Sequence, residues 1–249
     1  MSVPSLADIF DQYVAQGCDR CPRLMESRTS IVFGEGHPDP DIVFVGAAPG
    51  YWEDELVRPF VGQAGVLLDS FLAYFGRRGN SDLWRLGESV AKGKNLGDQE
   101  ADAVREALIE TEKVHYLNAV LCRPPENVDP SKKEVDACRD RLFQTIYQLD
   151  PLLIVATGKV AAKALLGKVL NVQDCRGQVY DIEIPGVTGG IRYPMLLTFH
   201  PSYVNRVGDF LSKTGPGVQF AEDCEHLFTL VDQTRYMTCG TPVPERRKW

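Results

Sequence analysis

No apolar run in these 249 residues approaches the ~20 needed to cross a bilayer, so no spanning segment is expected. No basic and apolar leader opens the chain. "MSVPSLADIFDQYVAQGCDRC" carries two acids by Asp11, which argues against a secretory signal. A cytoplasmic protein is the expectation, and its seven cysteines then read as thiols or metal ligands rather than disulfides. Internal repeats, low-complexity tracts and clear linkers are absent. One domain over residues 1–249 with a loose "PERRKW" tail is therefore expected, and the length suffices for a substantial core.

Positive charge is also short. The formal net charge is −7, yet the deficit is local. Residues 98–112, "DQEADAVREALIETE", hold six acids and one Arg. The rest of the chain is close to balance. Nucleic-acid binding needs a basic face rather than a basic total, so this charge excludes neither DNA nor another partner.

What is present is an alternation of strands and helices. Residues 5–16 read as an amphipathic helix leading to Cys18 and Cys21. Asp41–Gly46 is an apolar strand after the breaker "GEGHPDP". Residues 64–75 are a helix, 77–98 a loop with at most a short helix, and 98–112 a solvated helix. His115–Val120 is a second strand. "SKKE" at Ser131 is a capping box opening a helix to about Gln148. Leu152–Thr157 is a strand covered on both faces, and "GKVAAKALLG" is the helix after it. Residues 176–184 form an edge strand, Tyr193–Phe199 a buried one, and 216–234 a last helix. This order predicts a parallel sheet with helices on both sides.

Ligands of open α/β sheets bind beyond the carboxyl ends of the strands. Three segments fall there: Gly46–Gly50, Asn118 with the following "CRPPEN", and "HPSYVNR" from His200. The first loop lacks both G-x-G-x-x-G and the Gly-Lys-Ser/Thr of a P-loop, so it is no standard phosphate cradle. Gly46, Ala47 and Ala48 allow close approach to the backbone. Each feature alone is more often packing or turn chemistry. Their convergence is what suggests a site. Phe60 would offer a stacking face, Asn118 a paired donor and acceptor, and His200 a donor, a set that fits the edge of a flipped nucleobase. The matching chemistry is cleavage of the base–sugar bond, with His200 stabilising the departing base. Cys18 and Cys21 are spaced C-x2-C, and Cys122 and Cys138 C-x15-C. Four thiolates could hold zinc or an iron–sulfur cluster, and spacing does not decide between them. Cys175, Cys224 and Cys239 have no partner pattern and read as inert thiols.

Together these residues resemble the uracil-DNA glycosylase superfamily, most closely its iron–sulfur type, family 4. The first motif, "GAAPGYWEDELVRPFVGQAG", is similar to the family's GEAPG-x-x-ED-x-x-G-x-PFVG-x-AG. "NAVLCRPPENVDP" and "HPSYVNR" resemble the two later motifs. The resemblance covers most of the chain and implies a three-layer α/β/α sandwich with a central four-stranded, mainly parallel sheet. It implies a 4Fe–4S cluster on Cys18, Cys21, Cys122 and Cys138. It also implies base contacts by the backbone around Gly46, Ala47 and Ala48, stacking on Phe60, and hydrogen bonding by Asn118. His200 would stabilise the leaving base. Pro201, Ser202, Tyr203 and Arg206 would lie in a loop that presses into DNA.

Three departures stand out. Ala47 replaces the family's Glu. Val57 replaces a Gly, which suggests a changed turn. About thirty residues around 77–112 are added, and their acidity places them away from DNA. The implied function is a monofunctional DNA glycosylase of base-excision repair, acting on uracil or another deaminated base such as hypoxanthine or xanthine. DNA and the free base are its expected partners, with no membrane and a monomeric state. A non-catalytic DNA- or base-binding protein is the alternative that Ala47 keeps open. A redox protein has little support, because no flavin or nicotinamide motif accompanies the cysteines. No lysine lies in the three motifs to form a Schiff base, so no lyase step is expected.

Overall fold

The computed structural model describes residues 4–76, 98–186, 189–207 and 215–239. The expected loop over most of 77–98 and the "PERRKW" tail lie outside these. Among the described residues, six strands form one sheet: β1 (Glu35–Gly36), β2 (Ile42–Gly46), β3 (Val114–Asn118), β4 (Leu153–Thr157), β5 (Val179–Gly186) and β6 (Gly189–Thr198). Their order is β1-β3-β2-β4-β6-β5. The four central strands are parallel, and the two edges pair antiparallel. The four-stranded parallel core is thus extended by two edge strands. The sequence marked β5, and it missed the two-residue β1.

Sequence alternation builds the layers. Val43 and Val45 of β2 join one buried apolar cluster, and Ile42 and Phe44 join the other. Adjacent strand residues point to opposite faces, so a run with no polar member must be covered twice. The first face carries α1 (Leu6–Phe10), which continues as a π-helical turn over Asp11–Ala15. It also carries α6 (Lys132–Leu149) and α7 (Gly158–Leu166), through Leu142, Ile146, Ala161 and Leu165. The second carries α4 (Gln63–Phe71), α5 (Asp98–Glu112) and α10 (Pro216–Cys239), through Leu68, Phe71, Leu108, Phe220 and Leu227. Burying each such side chain contributes about 1.5–3 kcal/mol. The remaining helices are short: α2 (Pro22–Ser27), α3 (Tyr51–Leu56), α8 (Val172–Cys175) and α9 (Pro201–Val207). No helix among the described residues is long and apolar enough to cross a membrane.

Several local expectations are met, and three are corrected. Ser131 and Glu134 close the capping box at α6. The segment 98–112 is helical, as its spacing predicts, but it is not a solvated appendage. Val104, Arg105 and Leu108 are buried on its inner face, because an apolar stripe on an acidic helix still seeks cover. Val57 does not change the turn: it caps α3 with φ 56° and ψ 33°, the left-handed conformation a glycine would take. A β-branched residue there is strained. The segment from Pro201 is a helix rather than a loop, and Pro201 itself is buried.

Candidate active site

Strand register sets the site. Gly46 sits beside Asn118, and Thr157 beside Thr198, so the carboxyl ends of four parallel strands stand in a row. Beyond them opens a cavity of about 740 Å³ lined by Ala47, Ala48, Phe60, Asn118 and His200, among others. Parallel pairing runs on past the strands: Ala119 N donates to Gly46 O at 3.0 Å and Val120 N to Ala47 O at 3.0 Å. Gly46 must lack a side chain. A Cβ there would collide with Asn118 Oδ1 and come within 2.8 Å of Phe60 Cζ. Gly158, at φ 86°, similarly admits His200, whose Cβ would lie 3.0 Å from an added methyl.

Phe60 also has a left-handed backbone, at φ 56°. Its ring is nearly buried and leans on Tyr116 at 5.6 Å between centroids. A buried arginine holds this strained position. Arg105 Nη1 donates to Pro59 O at 2.6 Å, and Nη2 donates to Phe60 O. Its Nε and Nη2 grip Asp69 Oδ2 at 2.9 and 2.8 Å, and Tyr116 Oη donates to the other Asp69 oxygen at 2.6 Å. Glu53 accepts from the backbone N–H groups of Gly50 and Phe60, and burial raises its pKa. Asp54 is fully buried and accepts from Thr29 N at 2.8 Å and Ser30 N at 3.0 Å. Glu53 and Asp54 are therefore both engaged by backbone N–H groups, which holds the loop.

Asn118 is buried, yet its Nδ2 has no hydrogen-bond partner. An unpaired amide facing a cavity is costly unless a ligand completes it. Its own carbonyl is fixed by Arg141 Nη2 at 2.9 Å. At His200, Ser202 N donates to Nδ1 at 3.2 Å, and the Ser202 hydroxyl lies 2.7 Å away. A backbone N–H can only donate, so Nδ1 is the acceptor and the ring proton sits on Nε2. Burial pushes the His200 pKa down to about 4, and Arg206 adds to the effect against Asp129. At neutral pH the ring is an uncharged Nε2–H donor. Tyr203 and Arg206 are exposed on α9 beside it.

The cysteines gather at another corner. Cys21 caps α2, Cys122 follows β3 and bridges Ile31, and Cys138 lies on α6. Arg23 binds Glu134 at 2.8 and 2.6 Å, which ties α2 to α6 and holds the Glu134 pKa down at about 2. Burial, with Cys138, Cys122, Glu134 and Cys18 nearby, pushes the Cys21 thiol up to about 11. Arg28 donates to Cys122 Sγ at 2.9 Å and to Cys18 O at 2.8 Å. Arg141 is fully buried against Cys138, and its Nε and Nη1 have no hydrogen-bond partner. Among the described residues, no three His, Cys, Asp or Glu side chains are close enough to hold one metal ion. A cluster of several irons spreads its thiolates wider than a single ion does. Two buried or half-buried guanidiniums beside four thiols fit an anionic group.

A family model described as the Uracil DNA glycosylase superfamily matches residues 33–214. That span reaches from before β2 to beyond His200. The chain belongs to this superfamily. It is 36% identical to a type-4 uracil-DNA glycosylase of Thermotoga maritima, covering 81% of this chain and 84% of that protein. It is 34% identical to a type-4 enzyme of Pyrobaculum aerophilum, covering 77% of this chain and 81% of the relative. A type-5 uracil-DNA glycosylase from the same organism is 26% identical, over 79% and 84%.

Within the superfamily frame, the three departures fall differently. Ala47 puts a methyl group on the cavity wall. Val57 preserves its turn under strain. The acidic segment contributes Arg105, which braces the Phe60 wall. Sequence reasoning missed Arg105, Arg141 and the orienting role of Ser202. It also missed Tyr51, Trp52, Thr157 and Gly158, which line the cavity. The "ATG" that ends β4 was the available signal for the last two, since it stands at a strand's carboxyl end.

Proposed function

We propose that this superfamily member hydrolyses the N-glycosidic bond of uracil, or of hypoxanthine or xanthine, flipped out of DNA. The observation that carries the reading is the meeting of three groups in one cavity: the Phe60 ring, the unpartnered Asn118 amide and the neutral His200 donor. The names of the type-4 relatives agree with it.

The base enters between the Ala47–Ala48 backbone and Phe60, and Asn118 pairs with its edge. When the C1′–N bond breaks, its electron pair leaves with the base, and His200 Nε2–H stabilises that negative charge. Water adds to C1′, its hydroxyl stays on the sugar, and its proton balances the departing base. With Ala47 in place of an acid and Glu53 occupied, leaving-group stabilisation bears most of the catalysis. Ser202 sets the His200 tautomer. Tyr203 and Arg206 contact DNA beside the flipped nucleotide, and buried Pro201 supports them from behind.

At the other corner, Cys18, Cys21, Cys122 and Cys138 would hold a 4Fe–4S cluster. Its contribution would be structural, clamping α2, α6 and the segment after β3. Arg28 and Arg141 would neutralise its charge, and no catalytic step passes through it. The chain acts as one domain and as a monomer.

Oligonucleotides carrying uracil, hypoxanthine or xanthine, single-stranded and duplex, test the reading. Alkali-labile abasic sites are expected with at least one lesion. Tight binding without cleavage of any lesion would establish the binding-only alternative that Ala47 leaves open.

A further inference from the structure

We propose that Tyr51 and Trp52 form a stacking ledge for an unpaired nucleotide next to the flipped one, so that the enzyme favours single-stranded over duplex substrate. This rests on the glycosylase reading and adds a subsite to it. A cavity of about 740 Å³ is far larger than one pyrimidine, so the groups that read the base leave room in it for a second ring. Tyr51 and Trp52 line the same cavity, together with Pro124 and Asn127. Trp52 is 58% exposed, the most of any aromatic among the described residues, and Tyr51 is 45% exposed. Large rings left in water beside a ligand cleft gain most when a flat partner covers them.

The ledge is preset. The two rings meet edge to face at 5.1 Å and 80°. The Arg123 guanidinium lies 4.8 Å over the Tyr51 ring, and Arg123 Nε donates to Asn127 Oδ1 at 2.8 Å. Rings held before binding lose little freedom on binding. Charges around the rings are mixed, with Glu55 and Glu126 exposed, Arg123 held over Tyr51 and Lys159 paired to Asp129 at 2.8 Å, so stacking and not net phosphate attraction carries the preference. Stacking accepts any base, because each has a π-face. A neighbour inside a duplex is held by its own partner and stack. A neighbour on an unpaired strand is free to turn onto Trp52.

The test compares wild type, Trp52→Ala and Trp52→Phe on one uracil oligonucleotide, single-stranded and annealed. Wild type should show a lower KM on the single strand. Trp52→Ala should raise that KM about tenfold and shrink the duplex-to-single-strand KM ratio by a similar factor, with kcat kept within roughly twofold. Trp52→Phe should restore most of the loss. An abasic spacer at the position flanking uracil should reproduce the Trp52→Ala defect in wild type and add nothing to it in the variant. Equal loss on both substrates, no loss, or a defect that no flanking spacer reproduces would overturn the ledge. If wild type releases no base from any lesion, the glycosylase reading fails first, and the two failures are distinct.

Discussion

Two buried arginines separate the two ends of this molecule. Arg105 stands behind the Phe60 wall of the cavity with each guanidinium nitrogen engaged, by Asp69, Pro59 O and Phe60 O. Arg141 stands behind the cysteine corner: its Nη2 donates to Asn118 O and Ala119 O, and the rest of its guanidinium faces the Cys138 thiol with Nε and Nη1 lacking an oxygen acceptor. A charge in a dry interior persists only when compensated. The pocket wall is therefore complete as protein alone. The cysteine corner leaves Arg141 Nε and Nη1 without an acceptor, which fits the anionic cluster proposed for its sulfurs. Arg141 also touches both regions, because the carbonyl it holds belongs to Asn118, whose side chain lines the cavity.

Replacing each arginine breaks or confirms this contrast. Arg105→Met should destabilise by about 3–5 kcal/mol in any state, because Asp69 is left buried and unpaired. Urea midpoints will read it. Arg141→Met should cost a similar amount only in iron-loaded protein. After chelation the loss should vanish or reverse, since the wild-type charge is then uncompensated. An equal cost in both states would break the comparison. Loaded protein should be brown, with about four iron and four sulfide per chain.

Catalysis should follow the pocket and not the corner. His200→Ala should lower kcat roughly a hundred- to a thousandfold while visible absorbance stays unchanged. Acid should act mainly on the sheet and the pocket. His115 and His200 have folded pKa values pushed down to about 4 by burial, against an ordinary value near 6.5. The unfolded chain binds more protons between these values, so stability is full above pH 6.5 and is lost as pH falls toward 4. A Tm series across that window, flat above it, is the expected outcome. The smallest effect is a gain: Val57→Gly should stabilise by about 1 kcal/mol by relieving a left-handed β-branched residue.

Legibility in the sequence followed the range of the interactions. The parallel strands, the Ser131 capping box and the positions of Gly46, Asn118 and His200 are local patterns, and each is found where the pattern put it. Along the sequence Arg105 is one positive charge on an acidic helix. Its partners lie 36 to 46 residues away, and no spacing rule reaches them. Ser202 lies in the segment that the family resemblance turns toward DNA, and the turn into α9 also brings its hydroxyl onto the His200 ring. Val57, standing where the resembling family has Gly, suggests a changed turn, and the fold holds that turn regardless.

The sequence alone determined the alternating layers, the strand ends that carry the site and the order of the four cysteines. Periodicity, breakers and motif spacing are written along the chain. Only tertiary structure decided which arginine is satisfied, which histidine nitrogen holds the proton and which amide waits for a ligand. Those depend on groups distant in sequence meeting in a space too dry to leave a charge or a donor unpaired.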